Sequence, residues 1–515
     1  MGIAFGIVGL FCAGLVVLLQ ASFRRDRSFS DYAVGGRSYG AWLQSMSFLN
    51  SWWPGGLLLS LTGMALGSGV VAFYMPIYSL LTVMLMYVMA RRVWLWGAAN
   101  DLKTQADLLR LRYDSTALAV TSSVISVISI LPWLVLGFKS LGAMFAALSL
   151  GALTPGQSVA CGVALILVRQ VWTIRMGMRG LVISDMYQGL VAYVGGTALI
   201  LGLIAWLAGQ GVSPGHLPAR LLGVPGTSTS MGTGAVGGPL TLFSMILTGS
   251  IGGWCWPPIF VRLYTADSVR SMLRAGVFSA PLSLLFSMAL VVLGLMAAGL
   301  PALHADPDMA WFTVAGLAAG PVGLGLAGTV MLAATMGGVD AIIQAMGTQV
   351  ANDIVGAGRV LPYRTSILTA KGTMVVATAL AAGIACLPIA HLSVLALLSY
   401  QGIIQVAVAQ YGGLFWRRGT AAAGIAGMIA GFLTAILLET VLHAATGWFW
   451  GLSSGVIGLA VNAATYAALS LLVPQRTAET RRVALLFAGT GQPRADADAA
   501  PGQAAPATLA HGDAS

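Results

Sequence analysis

Thirteen apolar stretches follow one another along the chain and leave little sequence for anything else. A hydrocarbon core about 30 Å thick needs about 20 residues of helix to cross it, because lipid offers no partners for unpaired backbone groups. The stretches run over residues 3–22, 41–69, 70–90, 116–150, 156–174, 182–208, 239–260, 277–300, 321–350, 368–389, 392–415, 421–443 and 452–473. Only 8% of the 515 residues are charged. An ordinary soluble domain is about one-quarter charged, so a soluble enzyme is excluded. The 66 glycines supply the small residues that let helices approach closely in lipid. The fold class that follows is an all-α polytopic membrane protein.

Lys and Arg set the sidedness. One set of connections carries Arg24, Arg25, Arg27 and Arg37, then Arg91, Arg92, Lys103, Arg110 and Arg112, then Arg175 and Arg179. The same set continues with Arg262, Arg270 and Arg274, Arg359 and Arg364, Arg417 and Arg418, and a tail with Arg476, Arg481, Arg482 and Arg494. The opposite set holds Arg220 alone. The expected arrangement in a cytoplasmic (inner) membrane therefore has an external N-terminus and a cytoplasmic C-terminus. The net charge of +10 reads as topology rather than nucleic-acid binding, because the basic residues lie singly or in pairs between apolar runs. Cys12, Cys161, Cys255 and Cys386 lie far apart with no metal-binding spacing, so no metal site is expected beyond one for Na⁺.

Ionisable groups at membrane depth are costly and therefore informative. Lys139 lies well inside the fourth span, either as a counter-charge for a solute or as a lysine reaching one interface. Asp185 and Gln188 begin the sixth span, on an expected cytoplasmic exit path. Arg169 is expected to snorkel to the inner face. Gly and Pro clusters mark broken helices, whose freed carbonyls build midplane sites in transporters. Such clusters occur at Asn50–Gly56 and Gly249–Pro258, five spans apart. That spacing suggests two inverted five-helix repeats, over spans 2–6 and 7–11.

These residues resemble the sodium/solute symporter family of proline, pantothenate, monocarboxylate and sugar permeases, from about residue 28 to 440. Ser28–Ser38 resembles the family's F-x-x-A/G-x-R loop, and Lys103–Tyr113 its T-x-x-E-x-L-x-x-R-Y segment. Asp185–Gly189 matches D-x-x-Q-G, and Pro257 with Arg262 matches Q-P-x-x-x-x-R with Trp256 in place of Gln. Ala333–Asp340, followed by Asp353 and Ile354, is similar to A-A-x-M-S-T-x-D … D-I, and Ser399–Gln405 with Gly413–Arg418 completes the series. The resemblance implies a LeuT-like core of 5+5 inverted repeats. The domain organisation expected is a first helix and cytoplasmic loop (1–40), a first repeat (41–208) and an external loop (209–238). A second repeat (239–415), two further helices (416–475) and a disordered cytoplasmic tail (476–515) follow.

The resemblance also implies alternating-access uptake of a small-molecule solute driven by Na⁺. In the family that ion lies between carbonyls of the first core helix and two adjacent hydroxyls of the eighth. Here the hydroxyl positions fall on Gly337 and Gly338. The altered cation site carried over comprises Asn50, Trp53, Ala334, Gly337, Gly338 and Asp340. A remodelled Na⁺ site, H⁺ coupling through a carboxylate and no ion coupling all remain open. The substrate cavity is expected from Trp52, Trp53, Lys139, Trp254, Trp256, Tyr400 and Gln401, which suit a carboxylated or zwitterionic solute. No other cofactor and no nucleic-acid partner is expected. Enzyme chemistry is disfavoured, since His216, His304, His391, His443 and His511 lie in loops, at helix ends or in the tail. A non-transporting solute sensor of the same fold is the remaining alternative.

Overall fold

In the computed structural model, residues 1–23, 28–212, 221, 239–300, 303–359, 361–387, 399–442 and 451–489 are described. Among them there is no strand, and Tyr39 and Ala266 form one isolated bridge. The expected sites at Arg24, Arg25, Arg27, Arg220 and Arg494, the 213–220 and 222–238 parts of the external loop and 490–515 of the tail lie outside the described residues.

The helices are α1 (Gly2–Ala21), α2 (Phe29–Val34), α3 (Ala41–Trp52), α4 (Gly56–Ser68), α5 (Tyr74–Ala99), α6 (Gln105–Tyr113), α7 (Thr116–Leu148), α8 (Pro155–Gly189) and α9 (Gly196–Gly209). They continue with α10 (Pro239–Gly252), α11 (Pro257–Phe260), α12 (Arg262–Thr265), α13 (Val269–Ala297), α14 (Ala310–Gln349) and α15 (Tyr363–Ala385). The last four are α16 (Ala407–Phe415), α17 (Ala421–Leu437), α18 (Ser454–Leu472) and α19 (Thr477–Ala488).

Among the described residues, 9 helical stretches are long and apolar enough to cross a membrane. Three of these, Gly56–Ala99, Pro155–Gly209 and Pro307–Val355, hold 44, 55 and 49 residues, far more than the ~20 one crossing needs. The backbone breaks them where expected. Gly69 separates α4 from α5, Gly177 (φ 53°) divides α8, and Gly320 (φ 55°) before Pro321 divides α14. With the shorter apolar helix Pro239–Cys255 and the helical stretch 399–415, the described part of each of the thirteen expected segments falls on helix; 388–389 of the tenth, 392–398 of the eleventh and 443 of the twelfth lie outside the described residues.

The half of α14 from Thr329 to Gln349 is buried at every residue, the mark of a helix enclosed on all sides. It is surrounded by α1, α3, α4, α7, α8, α9 and α15. Glycine permits the closest approach: a Cβ at Gly55 would overlap the Thr335 hydroxyl and the Met331 carbonyl. The break between α3 and α4 therefore lies directly on α14.

The tail differs from expectation, because residues 477–488 form α19 rather than disordered chain. Its physical anchor is aromatic. The Phe487 ring lies under the guanidinium groups of Arg92 (4.8 Å), Arg417 (5.3 Å) and Arg112 (5.7 Å). Arg482 donates to the carbonyls of Leu111 (2.6 Å) and Arg112 (2.9 Å) at the end of α6, and the Trp96 indole donates to Leu486 O (3.2 Å). Phe487→Ala should release this strap. Limited trypsin digestion of the purified protein is expected to cut after Arg481 and Arg482 roughly tenfold faster, the equivalent of about 1.4 kcal/mol. Digestion at the wild-type rate would show that the ring does not hold α19.

Candidate functional site

Two interrupted helices face each other in the middle of the fold. In the first, Trp53 leaves helical geometry (φ −111°, ψ 73°) before Pro54, whose ring cannot continue the backbone ladder. In the second, Gly253–Cys255 tighten into a 3₁₀ turn and Trp256 is extended before Pro257 starts α11. Each break frees carbonyls inside the protein. Tyr193 donates its hydroxyl to Trp53 O (2.8 Å), while Gln410 donates to Trp254 O (3.1 Å).

A buried polar cluster fills the space between the first break, α8 and α14. Asp185 accepts from the Ser47 hydroxyl (2.6 Å), the Asn50 amide (3.0 Å) and Arg262 (3.2 Å). Asn50 Nδ2 also donates to Gln188 Oε1 (2.9 Å), and Arg262 donates to Ser51 Oγ (3.0 Å). One layer away, Arg169 pairs with Asp340 at 3.0 Å and donates to Thr173 (2.8 Å) and Ser184 (2.6 Å). All four charged side chains are at most 3% exposed. Two carboxylates thus face two guanidinium groups, the pairing that burial of charge demands.

One expectation is corrected here: Arg169 does not snorkel to an interface. Arg262, expected in a cytoplasmic connection, is likewise buried. Each is drawn inward because an unpaired carboxylate in a low-dielectric interior would cost several kcal/mol. Sequence reasoning missed Ser47, Arg169, Tyr193 and Arg262 as members of the site. The legible signal was an arginine within an apolar helix, which must find a partner.

At the expected cation site the glycines of α14 lie against the first break. A Cβ on Gly337 would overlap the Asn50 amide, and one on Gly338 would sit 2.9 Å from Pro54 Cβ. Asn50 therefore fills the volume that a ligand side chain at Gly337 would occupy. The Trp53 carbonyl accepts a hydrogen bond from Tyr193. Ala334, also buried on α14, contributes no side-chain oxygen.

An aromatic cavity lies on the other side of the break, lined by Ser60, Tyr74, Tyr78, Trp133, Thr248 and Tyr400 among others. Trp133, Trp256 and Tyr400 pack around one another with ring centroids 5.1–5.8 Å apart, and the Tyr78 and Tyr400 hydroxyls meet at 3.3 Å. Of the residues expected to line a substrate cavity, the structure places Tyr400 on its wall, with Trp256 and Trp52 packed behind Tyr400 and Tyr78. The others are elsewhere. Trp53 points its indole at Ser283 (2.7 Å), and Trp254 stacks on Phe48 while donating to Thr82 O (2.8 Å). Gln401 accepts from Gly455 N (2.6 Å). Lys139 reaches the Leu387 carbonyl beyond the end of α15 (2.7 Å), the snorkelling alternative rather than a solute counter-charge. Asp185 and Gln188 are locked into the cluster instead of lining an open path.

Against known proteins, the model of the sodium:solute symporter family matches residues 32–431. The uncharacterized symporter YhjB of Bacillus subtilis (strain 168) is 24% identical over 303 residues, 59% of this chain and 59% of YhjB. That alignment spans about three-fifths of YhjB's own length. The uncharacterized symporter YodF of the same organism is 22% identical over 463 residues, 88% of this chain and 91% of YodF. Among solved structures, a substrate-bound, outward-open Na⁺-coupled sialic acid symporter superposes with a TM-score of 0.76 at 16% identity, over 92% of this chain and 99% of that one. Mhp1, a nucleobase-cation-symport-1 family transporter in a closed conformation, gives 0.53 at 14% identity over 89% and 99%. At these identities the likeness is one of fold.

The Asn50–Gly337 contact has a thermodynamic signature. Gly337→Ser alone should overpack the site and cost about 1–3 kcal/mol of stability. Asn50→Ala in the same chain makes room, so the double variant should melt above the sum of the two single losses. Strictly additive losses in thermal melts would show that Asn50 does not occupy that space.

Proposed function

Because the chain belongs to the sodium:solute symporter family, we propose that this multi-pass membrane symporter carries a small organic solute through the aromatic cavity by alternating access, coupled to protons rather than to Na⁺. The observation that carries the choice of ion is the Asn50 amide beside Gly337, in the volume where a ligand side chain would reach Na⁺. The Trp53 carbonyl, which accepts from Tyr193, supports the same reading. A proton can be taken up by a carboxylate already present in the buried cluster, without the oxygen cradle that Na⁺ needs.

Asp340 is the carboxylate assigned to this task. Protonation of Asp340 removes the ion pair between α14 and α8, while Arg169 keeps its hydrogen bonds to Thr173 and Ser184. Asp185 plays the structural part. It ties Ser47 and Asn50 on α3, and Arg262 on α12, to α8, and these contacts hold the Lys- and Arg-rich end closed. We assign that end to the cytoplasm from the distribution of Lys and Arg. A solute seated against Tyr78, Trp133 and Tyr400 bears on both breaks, since Tyr400 packs on Trp256 and Tyr78 on Trp52.

Proteoliposome uptake tests the assignment with a radiolabelled panel of amino acids, carboxylates and neutral amides. One proton per solute and a pH difference of one unit, worth 1.36 kcal/mol, should sustain about tenfold accumulation of a transported compound. Asp340→Asn should still equilibrate that compound but not concentrate it. Accumulation driven by a Na⁺ gradient and indifferent to pH would overturn proton coupling.

A further inference from the structure

A second, small cavity lies at the basic end of the fold, against Pro257 and Val261 after the second break and along α14. Its polar wall is Thr104, Gln105, Gln344, Thr348 and Gln349, and Met178, which touches Arg262 Nη1 at 2.7 Å, is also part of its lining. The polar side chains are buried, each at most 4% exposed. Several of their atoms have no protein partner: Gln105 Oε1, Gln344 Oε1, Thr348 Oγ1, and both Gln349 Oε1 and Nε2. A buried polar atom left without a hydrogen bond costs about 1–3 kcal/mol, so five of them around one cavity mark a place built for a polar occupant.

The chemistry of that occupant follows from which donors are already used. Gln344 gives its Nε2 to Tyr32 O (3.2 Å), and Gln105 gives its own to Gln410 and to Trp254 O (3.4 Å). The free atoms are therefore mostly carbonyl oxygens, with one amide N–H₂ group and one hydroxyl. They call for a molecule with N–H donors and at least one carbonyl. No carboxylate lines the cavity to balance an ammonium. Lys103 on the wall is no counter-charge for an anion, because its ammonium is held by Asp101 (2.9 Å). Burial pushes the Asp101 carboxyl up, but hydrogen bonds from Ser30 and Lys103 and the charges of Lys103 and Arg37 outweigh it and keep the group below its ordinary range. The aromatic cavity adds its own demand. Its lining has aromatic faces and hydroxyls but no ammonium, guanidinium or carboxylate, which suits a flat, uncharged ring. A neutral planar molecule with an amide edge satisfies both cavities.

We propose that the inner cavity is a second solute site, occupied in transit after the aromatic cavity, and that the solute class is a neutral planar amide or ureide. This rests on the symport reading above. The site also bears on gating: Gln105, whose carbonyl faces the solute, shares the freed Trp254 carbonyl with Gln410, so occupation is felt at the second break.

Uracil serves as the probe, in equilibrium dialysis of the full-length protein in detergent. Wild type should bind two molecules per chain. Ala345→Phe, which fills the inner cavity from its wall, should bind one and lose at least tenfold in uptake rate. Gln349→Leu gives the same result by removing hydrogen bonds rather than space, and stands in where the bulky variant does not fold. One uracil per wild-type chain, unchanged by either variant, overturns the second site and leaves symport intact. No uracil binding overturns the solute class. Proton coupling is decided separately, by the pH-gradient uptake experiment.

Discussion

Burial of charge without water is the constraint on which the rest of this structure depends. Asp185 sits where no solvent reaches it, and its two oxygens are met by Ser47, Asn50 and Arg262 from two other helices. A carboxylate so placed cannot lose a partner cheaply, since breaking a buried pair costs about 3–5 kcal/mol. One side chain therefore ties α3, α8 and α12 together. Asp340 and Arg169 repeat the device between α14 and α8.

The broken helices are the complement of that rigidity. A continuous helix satisfies its own backbone and offers nothing to a solute, whereas the breaks after Trp52 and before Trp256 release carbonyls that Tyr193, Gln105 and Gln410 then engage. Glycine decides how near these breaks come to α14. With no side chain at Gly55, Gly337 or Gly338, the α3–α4 junction lies against the buried helix, and the Asn50 amide enters the space beside Gly337. Glycine at 337 offers no side-chain oxygen and leaves room for the Asn50 amide.

The two cavities differ in kind, and the difference is chemical rather than one of size alone. The first offers rings and hydroxyls, the second amides with unused hydrogen-bonding capacity. Met178 in the lining of the second cavity touches Arg262, which pairs with Asp185.

Much of the fold was legible along the chain because its causes are local. Apolar runs of membrane length define spans, Lys and Arg distribution gives sidedness, and Gly-Pro clusters mark where helices cannot continue, each within a few residues of sequence. Asn50 and Asp340 were legible as polar groups at depth. Their partners were not, because Arg169 meets Asp340, and Arg262 meets Asp185, across large separations in sequence that only helix packing closes. The tryptophans show the same limit: Trp52 and Trp53 are neighbours in the chain, yet the break turns one toward Tyr78 and the other toward Ser283. The amino-acid sequence by itself determined a membrane-spanning helical protein with two interrupted helices, since hydropathy and backbone stereochemistry act residue by residue. Only the tertiary structure decided which charges neutralise each other, which rings line a cavity and what fills the space beside Gly337, because those depend on distances between helices that no local property of the chain encodes.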